Sequence, residues 1–199
     1  MAQSSVSICS LGLSMLGEDP IESLTEQSAA AGQCNIWYNP CRRQTLEDFD
    51  WNFARRRATL ALHGDAAPSG IWTFRYQVPS DCLSARYIQN PLGDQADPVP
   101  FEMELSLDGS TQSILTNAED AILIYTVDQE TTDFFPPYFV DALATNIASR
   151  IAFKVTGKRT IMSDMIQLYF VKLARAEAHE GNRRGERKPR EASWVEARG

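Results

Sequence analysis

At Phe53 the hydrophobic period of this 199-residue chain changes from helical to about two, and after Asp133 it changes back. Helical ends enclosing a run of strands exclude an alternating α/β architecture. The expected fold is α+β: a helical bundle formed by the N- and C-terminal helices, with an inserted antiparallel β domain. Residues 1–52 and 134–180 are assigned to the bundle, 53–133 to the β domain, and 181–199 to an extended C-terminal arm.

Ile8, Leu11, Met15 and Leu16 at helical spacing predict a first helix over Ser5–Leu16. Gly17, free to take positive φ, and Pro20 stop it. A second helix is expected from about Glu26 to Phe49, capped by Ser23 or Thr25. Its core stripe is Ala30, Cys34, Trp37 or Tyr38, Cys41, Thr45 and Phe49, while Arg42, Arg43, Glu47 and Asp48 take the solvated face. Pro40 within that pattern predicts a kink or a break. The third helix, Tyr138–Thr156, carries Phe139, Leu143, Ile147, Ile151 and Val155 in one stripe and ends at Gly157. The fourth, about Ile161–Glu180, turns Met165, Leu168, Tyr169, Lys172 and Leu173 inward, and the short link makes the two an antiparallel pair.

Between these ends, strands are expected over Phe53–Leu62, Trp72–Val78, Cys82–Gln89, Phe101–Leu107, Gln112–Leu115 and Ala121–Val127. Asp108-Gly109 is a hairpin signal. Asn90–Pro100, with three prolines and a glycine, reads as a long exposed loop.

Composition bounds the function. A hydrophobic fraction of 43% with 23% charged residues describes a globular chain, and a net charge of −7 argues against a general nucleic-acid binder. The first residues lack a basic region and a continuous apolar run, and no stretch approaches the ~18 apolar residues of a membrane span. Cys9, Cys34, Cys41 and Cys82 form no C-x-x-C pair and are expected as reduced, mostly buried thiols. His63 and His179 belong to no metal-binding spacing, and no phosphate loop or nucleophile elbow occurs. No catalytic residue, metal site or cofactor is assigned. Glu47, Asp48 and Asp50 form the densest acidic cluster; a solvated helix end explains it, with a two-carboxylate glycosidase as the rival.

Arg55, Arg56 and Arg57 are the most distinctive polar run. On a strand, Arg55 and Arg57 share a face and Arg56 opposes them, so the run is no continuous basic patch. Intersubunit ion pairing is the leading reading, with a solvated strand edge or phosphate contact as alternatives. Beyond Gly181, Arg183, Arg184, Arg187, Lys188 and Arg190 are interspersed with glutamates, and Trp194-Val195 follows. A basic arm with an aromatic anchor suits a segment that folds on binding a protein partner.

The ordered motifs then carry a resemblance. Leu16-Gly17-x-x-Pro20-Ile21-x-Ser23-Leu24 is followed by Ala31, Cys34 and Tyr38, by Arg42 and Leu46, and by Trp51-x-Phe53-Ala54-x-x-Arg57. Trp72-x-x-x-Tyr76-x-x-Pro79-x-Asp81-Cys82-Leu83, Ile114-Leu115-Thr116-Asn117 and Phe135-Pro136-x-x-Phe139-x-x-Ala142-Leu143 continue the series. Over about residues 5–175 the sequence resembles the tail tubular protein A family, the head-to-tail adaptors of short-tailed bacteriophages. The resemblance implies a dodecameric ring in the virion between the portal protein and the tail nozzle, around a channel through which genomic DNA passes without sequence-specific binding. It implies synthesis in a bacterial host cytoplasm, no membrane, and tail fibres or spikes as further candidate partners. The arm beyond Gly181 is expected to dock on the portal, as in similar adaptors. Some relatives have been proposed to act on polysaccharide, but the family brings no catalytic signature to transfer.

Overall fold

The computed structural model describes residues 3–68, 70–90 and 99–183, with side chains as far as Glu180. The chain is α+β, with helices flanking a β region built from two small antiparallel sheets. Among the described residues the helices are α1 (Ser5–Met15), α2 (Ala29–Asp48), α3 (Pro137–Thr156) and α4 (Arg159–Arg183). The strands are β1 (Arg55–Thr59), β2 (Phe74–Gln77), β3 (Cys82–Ile88), β4 (Phe101–Leu105), β5 (Gln112–Thr116) and β6 (Ile122–Val127).

Helix α3 is the axis of the bundle, and α1, α2 and α4 all pack on it. Its expected stripe of Phe139, Leu143, Ile147 and Ile151 is buried, and so are Ala142, Ala144, Ala148 and Ala152 on its other sides. Small residues let neighbours approach closely. At Gly12 of α1 a Cβ would lie 2.8 Å from the Ala144 carbonyl oxygen, so the contact requires glycine. Gly157 ends α3 at φ 71°, and the Tyr138–His179 ring contact together with the Lys172–Asp141 ion pair places the end of α4 beside the start of α3. The two are antiparallel, as the short link requires.

Local chemistry moves several boundaries from their expected places. Helix α2 starts at Ala29, not near Glu26, because the Glu26 carboxylate turns back to accept from the Glu22 and Ser23 amides and the Ser28 hydroxyl. Ser28 becomes the N-cap, accepting from the Ala31 amide. No break occurs at Pro40, which lies on the exposed side of α2, where the carbonyl it leaves without a donor can reach water. Phe53 does not begin a strand. Residues Asn52–Ala54 form a single 3-10 turn because Phe53 is drawn into an aromatic cluster. Helix α4 runs through Arg183, so residues 181–183, expected in the arm, are helical.

The sheets have strand orders β1-β6-β3 and β2-β5-β4. Two isolated bridges, Leu62 with Tyr76 and Ile88 with Val99, join them at both sides. The six strands therefore follow one another around as β1-β6-β3-β4-β5-β2 and return to β1, a flattened barrel whose seams are closed only at those bridges. Ile114, Tyr76, Leu123, Tyr125 and Val127 belong to its share of the core.

The bundle and barrel meet at Trp51. The residue is fully buried, its indole Nε1 donates to the Thr45 carbonyl at 2.7 Å, and its ring stands edge-on to Phe49 and Phe139, each at 5.1 Å. Phe53 and Phe135 complete the cluster around Phe139. Trp51→Ala is expected to lower stability by about 3–5 kcal/mol, through both the cavity and the lost aromatic contacts. Urea unfolding of the variant checks this; a loss under about 1 kcal/mol would remove Trp51 from the centre of the junction.

Candidate interaction surfaces

Around the aromatic junction, arginines fix the barrel against α2. The Arg86 guanidinium, from β3, donates to the carbonyls of Leu46, Glu47 and Phe49 at the end of α2 and to the Thr126 hydroxyl. The last carbonyls of a helix lack internal partners and carry partial negative charge, so a cation satisfies both needs. Burial lowers the Arg86 pKa, while Asp50 and Glu47 oppose that effect.

Arg42 corrects the expectation of a solvated face. Its side chain is 2% exposed and donates to Asp128 Oδ1 and to the Gln129 carbonyl, each at 2.6 Å. Arg43, which is exposed, holds the other oxygen of Asp128 at 2.9 Å. The missed signal was positional: Arg42 is four residues from both Tyr38 and Leu46, on the buried stripe of α2.

The arginine triplet lies on β1, the outer strand of its sheet. Arg55 pairs with Asp50 and Arg56 with Asp81, so two of the three guanidinium groups have carboxylate partners within the chain. Asp81 is fixed in turn by the Tyr125 hydroxyl at 3.0 Å. Arg57 is exposed, in register with Ile124 on β6, which is in turn in register with Tyr87 on β3. Arg55, Arg56, Arg57, Tyr87 and Ile124 line a hollow of about 300 Å³. Of the arm residues, Arg183 ends α4, while Arg184, Arg187, Lys188, Arg190 and Trp194 lie outside the described residues.

The carboxylates of the rival reading are individually engaged. Asp48 accepts from the Tyr169 hydroxyl at 2.6 Å, and Asp50 holds Arg55. Burial, reinforced by Asp48, raises the Tyr169 pKa. A second hollow, of about 340 Å³ between α2, α3 and α4, is lined by residues including Trp37, Arg150, Ile166 and Phe170. The linings of these two hollows contain no carboxylate.

Cys9, Cys34 and Cys41 are buried free thiols, and Cys82 is half-buried and also free. Burial pushes Cys41 up to about 12 and Cys82 to about 11, which leaves both protonated near neutrality. His63 Nδ1 accepts from the Asp65 amide, and His179 stacks on Tyr138 at 4.2 Å. Among the described residues, no three histidine, cysteine or acidic side chains gather to hold a metal ion, and no helix is long and apolar enough to cross a membrane.

Family models and curated proteins give no match to this sequence.

The Arg42 clamp is testable directly. Asp128→Ala leaves a buried guanidinium without its main counter-charge, and a loss of about 3 kcal/mol in urea unfolding is expected. Glu130→Ala, which removes an exposed and longer contact to Arg42 at 3.5 Å, is expected to cost under about 0.5 kcal/mol.

Proposed function

We propose that the chain is a structural adaptor of a short-tailed bacteriophage, one subunit of a ring that joins the portal to the tail nozzle and surrounds the DNA channel. The supporting observation is where the residues of the family resemblance fall in the fold. Gly17 takes the left-handed conformation that stops α1, at φ 79°. Ile21, Ala31, Cys34, Tyr38, Arg42, Leu46, Trp51 and Ala54 are all buried in the bundle or at its junction. Tyr76, Ile114 and Leu115 of the barrel, and Phe139, Ala142 and Leu143 of α3, are buried too. The shared motifs are thus the framework itself, and a framework shared over most of a chain carries a structural role better than a scattered handful of polar residues would.

On this reading the subunit is made in the bacterial host and works in the virion, where the resemblance implies twelve copies. Its net charge of −7 suits a wall past which DNA slides without being gripped. The arm residues Arg183, Arg184, Arg187, Lys188, Arg190 and Trp194 would dock on the portal, and Arg55, Arg56 and Arg57 would contribute to contacts between subunits. In the glycan-hydrolysing alternative the candidate carboxylates are Asp48 and Asp50, which contact Tyr169 and Arg55.

The experiment is the particle mass, by mass photometry, of the portal ring before and after mixing with the protein. Full-length chain is expected to add a ring's worth of mass, and a chain ending at Arg183 to add none. If the shortened chain loads equally well, docking through the arm is wrong. If the full-length chain ignores a competent portal, the adaptor reading fails.

A further inference from the structure

The two outer strands of the barrel carry opposite chemistry. On β1 are the three arginines beside the hollow formed with Tyr87 and Ile124. On β4, with the sequence Phe-Glu-Met-Glu-Leu, are Glu102 and Glu104, and the turn into β5 adds Asp108. The same hairpin exposes apolar side chains: Met103 is 41%, Leu105 60% and Leu107 78% accessible. An exposed segment that is both acidic and apolar complements a basic recess with the exposed Tyr87 at its wall and the buried Ile124 at its floor.

The positions of these surfaces matter as much as their chemistry. In the strand order β1-β6-β3-β4-β5-β2, β1 lies at the seam with β2, and β4 lies at the seam with β3. The hollow spans the outer face of β1-β6-β3, whereas the hairpin belongs to β4 and β5 of the other sheet. Two different, complementary surfaces on one subunit are what a heterologous, head-to-tail contact uses. The hairpin is also held in shape before any contact is made. The Ser106 amide donates to the Thr111 carbonyl at 2.7 Å, Gly109 takes φ 69°, and the Leu107 amide donates to Asp65. The hydroxyls of Ser106 and Ser110 hold the Asp108 carboxyl well below its usual range, so the tip stays negative. A preformed hairpin loses little conformational freedom on docking.

We propose that the β4–β5 hairpin of one copy docks at the Arg55–Arg57 hollow of the next, with Leu105 and Leu107 against the exposed Tyr87 ring and the hairpin carboxylates facing Arg57. Arg57 has the leading electrostatic role, since Arg55 and Arg56 already hold Asp50 and Asp81. Glu102 and Glu104 also have contacts within the chain, to Trp72 and Arg75, but Glu104 remains 41% exposed beside its partner. The proposal rests on the ring reading and names the surfaces that would close the ring.

Proximity cross-linking on the assembled particle tests it. Thr59→Cys, exposed on the same face of β1 as Arg57, and Leu107→Cys are placed together in a Cys82→Ser chain, so that Arg57 is kept and the three remaining native thiols are the buried ones. The protein is loaded on portal rings and treated with a short bis-maleimide. A ladder of covalent multimers is expected on a denaturing gel. Each single-cysteine chain should give no ladder alone, and a mixture of the two should stop at the covalent dimer, since each copy then offers one reactive surface. Adding Arg57→Glu to a chain bearing Leu107→Cys should reduce its dimer with Thr59→Cys copies little, because its hairpin is intact and the accepting copies keep Arg57. Placing Arg57→Glu on every copy should lower the loaded mass about tenfold or more. Normal loading without a ladder, or normal loading by the Arg57→Glu chain, would overturn the hairpin contact and leave the adaptor reading standing. Failure of the unaltered chain to load would overturn both.

Discussion

Trp51 sits where the helical and stranded parts of the chain meet, and its surroundings require both parts to be in place. Its ring needs Phe139 from α3 on one side and Phe49 from the end of α2 on another, while its N–H is committed to the Thr45 carbonyl. Because a buried indole N–H without an acceptor is costly, the residue cannot shift along α2 without losing that partner. The apolar contacts supply most of the stabilisation but little direction. Arg86 and Arg42 add direction: one reads the carbonyls at the end of α2, the other the turn after β6. An apolar centre enclosed by oriented cations fixes the angle between bundle and barrel more sharply than either element alone.

That division of labour explains which parts of the fold were legible in the sequence. Periodicity is local, so the helices, the strands and the α+β class could be read along the chain. The stripe of α3 and the Gly157 stop are direct products of spacing and of glycine's freedom at positive φ. Departures came wherever a side chain found a distant or competing partner. Glu26 delayed α2, Phe53 was pulled out of its strand by Phe135 and Phe139, and Arg42 was buried by Asp128, 86 residues away. The closing of six strands into a flattened barrel depends on two single bridges, and nothing in strand alternation specifies them.

The candidate surfaces were legible in the same partial way. Alternation separated Arg56, which reaches Asp81, from Arg55, which reaches Asp50, yet all three arginines line one hollow. Those two ion pairs join residues 5 and 25 positions apart, and the sequence offered no way to rank them against contacts with another subunit. Phe101, Met103, Leu105 and Leu107 alternate with Glu102, Glu104 and Ser106 along the β4 segment, and Met103 and Leu105 are exposed as well as the two glutamates on this outer strand of its sheet.

An outer strand with exposed apolar residues is ordinarily a liability, since it invites pairing with any other chain. The two outer strands here carry charges of opposite sign, which changes the balance. With Arg55, Arg56 and Glu104 paired within the chain, Arg57 on β1 and Asp108 at the hairpin tip carry most of that contrast, and on the proposed contact β1 of one copy faces the hairpin of another. In the proposed ring, one contact uses the hollow of a copy and the other uses its hairpin, so satisfying one leaves the other available until the rotation between copies closes the assembly. On that proposal the charge pattern favours the extended assembly over the closed dimer.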